Sequence, residues 1–438
     1  MPALYNLEDT GYLTLILDSN QISEIPTGSL PSGLAEISMN GNPITSIDNN
    51  AFDQLSTTLE ALYFSSANFT RIPDAFLHLN GLQRLSIKDT KIMDWNTPAM
   101  THIGQTLQTL TLDNVGFTTW PDWLHNFSRL TEQNIVNSAI SSIPDTAFDK
   151  YANSLITLAL YNNSFTAIPN PLSVLNNLIT LDLHGNKISN ITSLPQSGKL
   201  SDVVLNNNYI SDANHLSHVL RLHSDSLLSL ALSFNRLTAI PDLSFLTKLT
   251  SLDLNNNQIS DAFSGSVSGS IDELNFGYNL LPHIPNIYKN LQIITFMNLP
   301  HNSIRQVLGT DIPLWITDLD LDYNLITELT DSSFPVNSSL KGLTLDNVPL
   351  VTISSLAFVN LGSLISLSLV NTRLSRLPLS LAYLTGVRYL DLRNNAGLVC
   401  TCLEKSLAPT LTSGLEISGN CGFISIYMFF SILSANCP

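Results

Sequence analysis

An eleven-residue frame, L-x-x-L-x-L-x-x-N/T-x-L/I, recurs along this chain and constrains its fold more than any other feature. Residues 249–259 (LTSLDLNNNQI) and 364–374 (LISLSLVNTRL) show it plainly. Its Asn slot falls at Asn20, Asn42, Ala67, Thr90, Val115, Ser138, Asn163, Asn186, Asn208, Asn235, Asn257, Asn279, Asn302, Asn324, Val348, Thr372 and Asn395. Successive slots lie 22 to 27 residues apart, the period of a stacked repeat and not of separate globular domains. Within the frame, L-x-L alternates with period two, which predicts a short strand with one buried face. An Asn side chain both donates and accepts, so in the stack it can bond the backbone of its own turn and of the next one, pairing groups that burial would otherwise strand. Six slots lack Asn, and four of them form one block, Ala67 to Ser138. The backbone there is expected to be less regular.

The second half of each repeat often opens on Ile-Pro or a relative, as at Ile72-Pro73, Trp120-Pro121, Ile168-Pro169, Ile284-Pro285 and Leu377-Pro378. Proline fixes φ and cannot donate, which suits an extended return and opposes long helices. Phe52, Phe76, Phe148, Phe334 and Phe358 follow at similar places, and the reading for them is core filling. One repeat buries too little apolar surface to offset its own chain entropy, so stability requires neighbours and covered ends. Seventeen strands predict a parallel sheet on the order of 80 Å along its arc.

On these residues the chain resembles the leucine-rich-repeat family over roughly residues 12–398. The resemblance implies an α/β repeat: a curved horseshoe solenoid of about 17 repeats, with a parallel sheet on its concave side and irregular, 3-10 or short-helix returns on its convex side. The chain then divides into a short N-terminal edge (1–11), the array (12–395) and a C-terminal cap (396–438). Four cysteines, Cys400, Cys402, Cys421 and Cys437, all fall in that last stretch. Such a cluster fits a disulfide staple better than zinc, because the paired C-x2-C of zinc ribbons is absent. The pattern C-x-C with two later cysteines is similar to the cysteine-rich cap of extracellular members of the family, although Ala396-Gly397 stands where that cap begins with Asn-Pro-Trp. The resemblance implies the pairs Cys400–Cys421 and Cys402–Cys437. At the other end no cysteine precedes the first frame, and the opening residues lack a basic start and an apolar run. Either residues 1–11 fold over the edge or a cap has been removed, and truncation is the expectation.

Disulfides belong to oxidising compartments. Five N-x-S/T sequons, at Asn68, Asn126, Asn162, Asn190 and Asn337, point the same way, toward an extracellular or cell-surface protein. The longest late apolar stretch, Phe423 to Leu433, is about half a membrane span. Net charge is −16, from 35 acidic and 19 basic residues, which disfavours a nucleic-acid partner. No catalytic motif, cofactor motif or metal-ligand spacing is present. Gly265-Ser266-Val267-Ser268-Gly269 has the spacing of a nucleophile elbow, but Val267 fills the nucleophile slot.

What remains is surface. Between the two strand leucines lie Asp182, Asp253, Asn275, Asn298, Asp320 and Asp391; one place before the Asn slot lie Phe234, Tyr278, His301 and Tyr323. Asp318, Asp320 and Asp322 alternate and so point the same way, and Asp346 follows one strand later. Singly, each Asp reads as a solvated turn former. As a group, acidic residues on adjacent strands repel, and exposed aromatics beside them are of the type enriched in binding hot spots. The candidate ligand-binding face is therefore Phe234, Tyr278, His301, Asp318, Asp320, Asp322, Tyr323 and Asp346, on the concave side of repeats ten to fifteen, with a glycan at Asn162 shielding the middle repeats. The expected partner is a protein or peptide of basic or mixed charge. The resemblance implies the ligand-binding ectodomain of a receptor, including receptor-like kinases. A secreted inhibitor or matrix scaffold is the first alternative and a cytosolic sensor or adaptor the second.

Overall fold

The structure, a computed structural model, describes residues 4–6, 13–189, 191–412 and 414–437. It divides into two units, Met1–Ile210 and Ser211–Pro438. Each is built from the same repeat.

In the first unit, β1 (Leu4–Asn6) pairs antiparallel with β2 (Leu13–Ile16). From β2 onward the pairing is parallel: β3 (Leu34–Asn40), β4 (Ala61–Ser65), β5 (Arg84–Lys88), β6 (Thr109–Asp113), β7 (Glu132–Val136), β8 (Thr157–Ala159), β9 (Thr180–Asp182) and β10 (Asp202–Val204). Register keeps the frame leucines opposite one another, as at Leu85↔Leu110 and Leu158↔Leu181, all buried. In the second unit β11 (Ser229–Ala231), β12 (Ser251–Asp253), β13 (Glu273–Asn275), β14 (Phe296–Asn298), β15 (Asp318–Asp320), β16 (Gly342–Thr344), β17 (Ser366–Ser368) and β18 (Tyr389–Asp391) repeat this order. A further strand, β19 (Glu416–Ser418), comes from the cysteine-rich segment and extends the parallel ladder beyond the last frame.

The returns are short. Pro73, Pro121, Pro169, Pro285 and Pro378 each sit in extended conformation immediately before a five-residue 3-10 turn. The proline sets φ where its missing N–H is not needed, and the tight turn brings an apolar side chain inward. Longer helices among the described residues are α1 (Thr97–Ile103) and α2 (Ala213–Leu220). The five return phenylalanines are all buried, with Phe52–Phe76 and Phe334–Phe358 ring centroids 6.1 and 6.2 Å apart. Phe148 instead packs against Trp120 and Tyr151.

The Asn slot works as a cross-repeat clamp. Asn186 Nδ2 donates to Leu183 O in its own turn (2.9 Å) and to Leu160 O in the repeat before (3.1 Å), while its Oδ1 accepts from Phe165 N (3.1 Å). Asn302 does the same with Leu299, Phe276 and Leu281. The link runs back to the preceding repeat, not forward to the next. Asn20 shows it by exception: it is exposed and, among the described residues, bonds Leu17 and Asp18 of its own turn.

The block without Asn corrects one expectation. β4 to β7 are the block's strands; each is five residues long and fully in register, where β8 to β10 have three. The backbone ladder continues into the turn through Ser66 N to Lys88 O, Asp89 N to Asp113 O and Asn114 N to Val136 O, as it does beside Asn slots through Asn162 N to His184 O and Tyr278 N to Pro300 O. Thr90 does part of the Asn work, accepting from Ala67 N (3.1 Å) and donating to Lys88 O (2.8 Å). Strand length does not follow the slot residue: β3, whose slot is the clamped Asn42, has seven residues, while β16 and β17, whose slots are Val348 and Thr372, have three.

The C-terminal segment is stapled by Cys400–Cys421 and Cys402–Cys437, the implied pairing. Thr401 and Glu404 form a reciprocal cap on the turn Cys402–Leu407. Arg376 Nε, from the preceding return, donates to the buried Glu404 Oε1 at 2.7 Å. Burial alone would raise the Glu404 carboxyl, but hydrogen bonds from Thr401 and Arg376 outweigh it and hold its pKa below the ordinary value.

Candidate functional site

The residue before the Asn slot has positive φ in all seventeen repeats. It is glycine at Gly41 and Gly185, and elsewhere Ser19, Ser66, Asp89, Asn114, Asn137, Asn162, Asn207, Phe234, Asn256, Tyr278, His301, Tyr323, Asn347, Asn371 and Asn394. The left-handed region suits glycine and asparagine and costs other L residues about 1–2 kcal/mol. Three aromatics and one histidine accept that cost in the second unit, at φ 53 to 55°.

These side chains are not core. Phe234, Tyr278 and Tyr323 are each about half exposed, at 55, 52 and 49%. Tyr278, His301 and Tyr323, on three consecutive repeats, form a single stack: the ring centroids are 4.0 Å apart at both steps, with interplanar angles of 11 and 10°. The sheet's repeat spacing sets this distance, since each ring leaves the backbone at the same point of the same turn. Asn256 and Asn347 hold the same position on the repeats at either end of the stack. Leu280 and Leu325, two places along the chain from the tyrosines, are also exposed and enlarge the apolar flank; sequence reading missed them, although they share one column of the frame.

The acidic residues fall into two kinds. Those between the strand leucines close small turns: the Oδ1 atoms of Asp182, Asp253, Asn275, Asp320 and Asp391 each accept from the backbone N–H two residues on, at 2.9 to 3.1 Å. For this column the turn-forming reading is correct, and Asp320 also accepts from Thr344 Oγ1 at 3.1 Å. The second kind bridges repeats. Asp322 Oδ1 accepts from Asp346 N (2.7 Å), and Asp346 Oδ1 from Val370 N (2.8 Å) and Ser368 Oγ (2.6 Å). Asp318 is exposed, bonds Thr317 Oγ1 at 2.6 Å, and lies over Gly342, where an added Cβ would come within 2.4 Å of its carboxylate.

Asp322 carries the electrostatic cost of this arrangement. Half-burial pushes its pKa up to about 6; the backbone N–H of Asp346 opposes the rise, and the charges of Asp320 and Asp346 add to it. A second stack occurs in the first unit, Tyr161 on His184 at 4.4 Å, with His184 Nδ1 2.7 Å from Asp182. It lies one place earlier in the frame and was not among the residues expected.

Of the sequons, Asn68, Asn162 and Asn337 are exposed. Asn126 is half-buried and its Nδ2 is engaged with Thr101 Oγ1 (3.2 Å). Asn190 lies outside the described residues. Among the described residues no group of three His, Cys, Asp or Glu is placed to hold a metal ion, and no helix is long and apolar enough to cross a membrane.

The chain is thus an array of leucine-rich repeats ending in a disulfide-bonded segment. Family signatures described as "Leucine rich repeat" and "Leucine Rich repeats (2 copies)" match residues 128–188 and 225–265. Human leucine-rich repeats and immunoglobulin-like domains protein 2 is 33% identical over 114 residues, which is 25% of this chain and 11% of that one. The chain therefore aligns with about a tenth of that relative's length. Among solved structures, a leucine-rich-repeat protein of Leptospira interrogans superposes with TM-score 0.64 at 24% identity, covering 92% of this chain and 95% of its own. The glycosylated Toll–Spatzle complex of Drosophila gives TM-score 0.67 at 19% identity, covering 94% of this chain and 62% of that chain.

Proposed function

We propose that this chain is a recognition scaffold whose ligand, a protein or peptide of basic or mixed charge, lies along repeats ten to fifteen of the second unit. The carrying observation is the exposed Tyr278–His301–Tyr323 stack at three left-handed positions. Asparagine at these places would relieve the backbone, so the rings are retained against local stability, a mark of function. The half-exposed rings supply rigid contact area at small entropic cost. The row Asp318, Asp320, Asp322 and Asp346 beside them suits a lysine or arginine side chain, which would also relieve the repulsion around Asp322.

Two native disulfides fit an oxidising compartment, and the reading is extended to an extracellular or cell-surface ectodomain.

The test is selection of a displayed peptide library on the wild-type protein, followed by affinity measurement of the enriched peptides. Enriched sequences should be basic, their affinity should fall roughly tenfold or more with Tyr323→Ala, and Asp320→Lys with Asp322→Lys should weaken them and flatten their salt dependence. Binders indifferent to all three changes would place recognition elsewhere.

A further inference from the structure

The cysteine-rich segment carries an exposed apolar surface. A hairpin, Asn420–Cys421 paired with Ile424–Ser425, turns at Gly422-Phe423 and leads into a helical segment, Ile426–Met428 then Phe429–Leu433. Ile426 and Phe430, one helical turn apart, are buried and anchor it. The opposite side is exposed and apolar. Phe423, at the hairpin tip, is fully exposed; Tyr427, Met428 and Ile432 are about half exposed, and Ile424 and Leu433 somewhat less. Residues 417–438 contain no charged side chain, in a chain of net charge −16.

We propose that this face is a self-association surface, joining two copies of the chain through Phe423, Ile424, Tyr427, Met428, Ile432 and Leu433. At ~190 Å² per large apolar residue, their exposed fractions amount to roughly 650 Å² per copy. That exceeds the largest apolar patch usual on a monomer, and two copies together would bury about 1,300 Å², within the range of a stable interface. A self-complementary patch closes into a two-fold dimer without further contacts. Each copy is strongly acidic and repels the other at a distance, but this patch brings no like charges into contact. The tip phenylalanine stands clear of its own chain, so it can enter the partner's apolar side chains as an anchor.

The surface is separate from the aromatic stack, and its failure would leave the proposed ligand site untouched. Sedimentation velocity of the full, disulfide-intact chain across a concentration series tests it. A monomer–dimer equilibrium is expected, tightening as salt rises from about 0.05 to about 0.5 M because screening removes the acidic repulsion. Phe423→Ser with Ile432→Ser should weaken it roughly tenfold or more at unchanged melting temperature. Both residues are exposed, so the fold does not depend on them; Met428→Ser alone gives a smaller loss and serves if the double variant melts early. A monomer at every concentration up to roughly 100 μM and every salt overturns the proposal. So does a dimer that survives the substitutions, or a patch-dependent binding to phosphatidylcholine vesicles without self-association.

Discussion

Repeats three to six and repeats ten to fourteen make the same turn in different ways. In the first group the slot residue is Ala67, Thr90, Val115 or Ser138 and the strands run for five residues. In the second, buried Asn235, Asn257, Asn279, Asn302 and Asn324 fill the slot and the strands are three residues long. Both keep a left-handed residue just before the slot. The fold is thus specified by the turn, and the hydrogen bonds around it can be supplied by either backbone or side chain. What differs is the surface. The first group places Ser66, Asp89, Asn114 and Asn137 at the left-handed position, residues the turn tolerates; the second places Phe234, Tyr278, His301 and Tyr323 among them.

The largest expected effect follows from the clamp. Asn302→Ala leaves the amide of Leu281 without its partner and removes three bonds to the carbonyls of Phe276, Leu299 and Pro300, each of which keeps another donor, and should cost about 2–3 kcal/mol in chemical denaturation. Thr90→Val removes two bonds, against four at Asn302, and should cost about 1–2 kcal/mol. Equal losses at the two sites would erase the distinction. Reduction of the disulfides is the control that leaves both regions intact at first. Removing such links costs roughly 2–5 kcal/mol, and hydrogen exchange should accelerate from residues 396–438 before reaching either group. Uniform acceleration would show that the staple is not local.

The acidic row supplies a smaller, pH-dependent difference. Asp322 titrates near 6 in the folded chain and near the ordinary carboxylate value when unfolded. The folded state therefore holds the proton more tightly between those values. The penalty is fully present above about 6 and is relieved as pH falls from there toward the unfolded pKa. Asp322→Asn should stabilise the chain by about 1 kcal/mol at neutral pH, after allowing for solvent screening, and flatten its stability between pH ~4 and ~6. Affinity for a basic peptide should fall over the same window as the carboxylate protonates. A variant with unchanged pH dependence would remove Asp322 from this account.

Most of the fold was legible in the sequence because its determinants are local. The L-x-L alternation identified the inward leucines, Ile-Pro marked the returns, and the spacing of four cysteines carried the staple. The block from Ala67 to Ser138 is regular against expectation, because the backbone ladder runs through its turns as it does beside the Asn slots. Asp320 and Asp391 were legible singly as turn formers, and each closes the bend to the backbone N–H two residues on. The aromatic column was noticed as exposed; its backbone conformation was not. The signal was present in the recurring Asn and Gly of the same column, from Gly41 to Asn394. The Tyr278–His301–Tyr323 stack needed the structure, since only register shows that three rings some 22 residues apart leave the sheet in line.

The central claim is that aromatic residues at the left-handed position serve recognition and not the fold. Reciprocal exchange at neighbouring repeats tests it most directly, using Phe234, which is exposed, and Asn256, which occupies the same place one repeat on. Denaturation midpoints of Phe234→Asn and Asn256→Phe should move in opposite directions, the first gaining and the second losing about 0.5–1 kcal/mol. Loss of stability in Phe234→Asn would contradict the account, because the ring would then be supporting the repeat it was taken to burden.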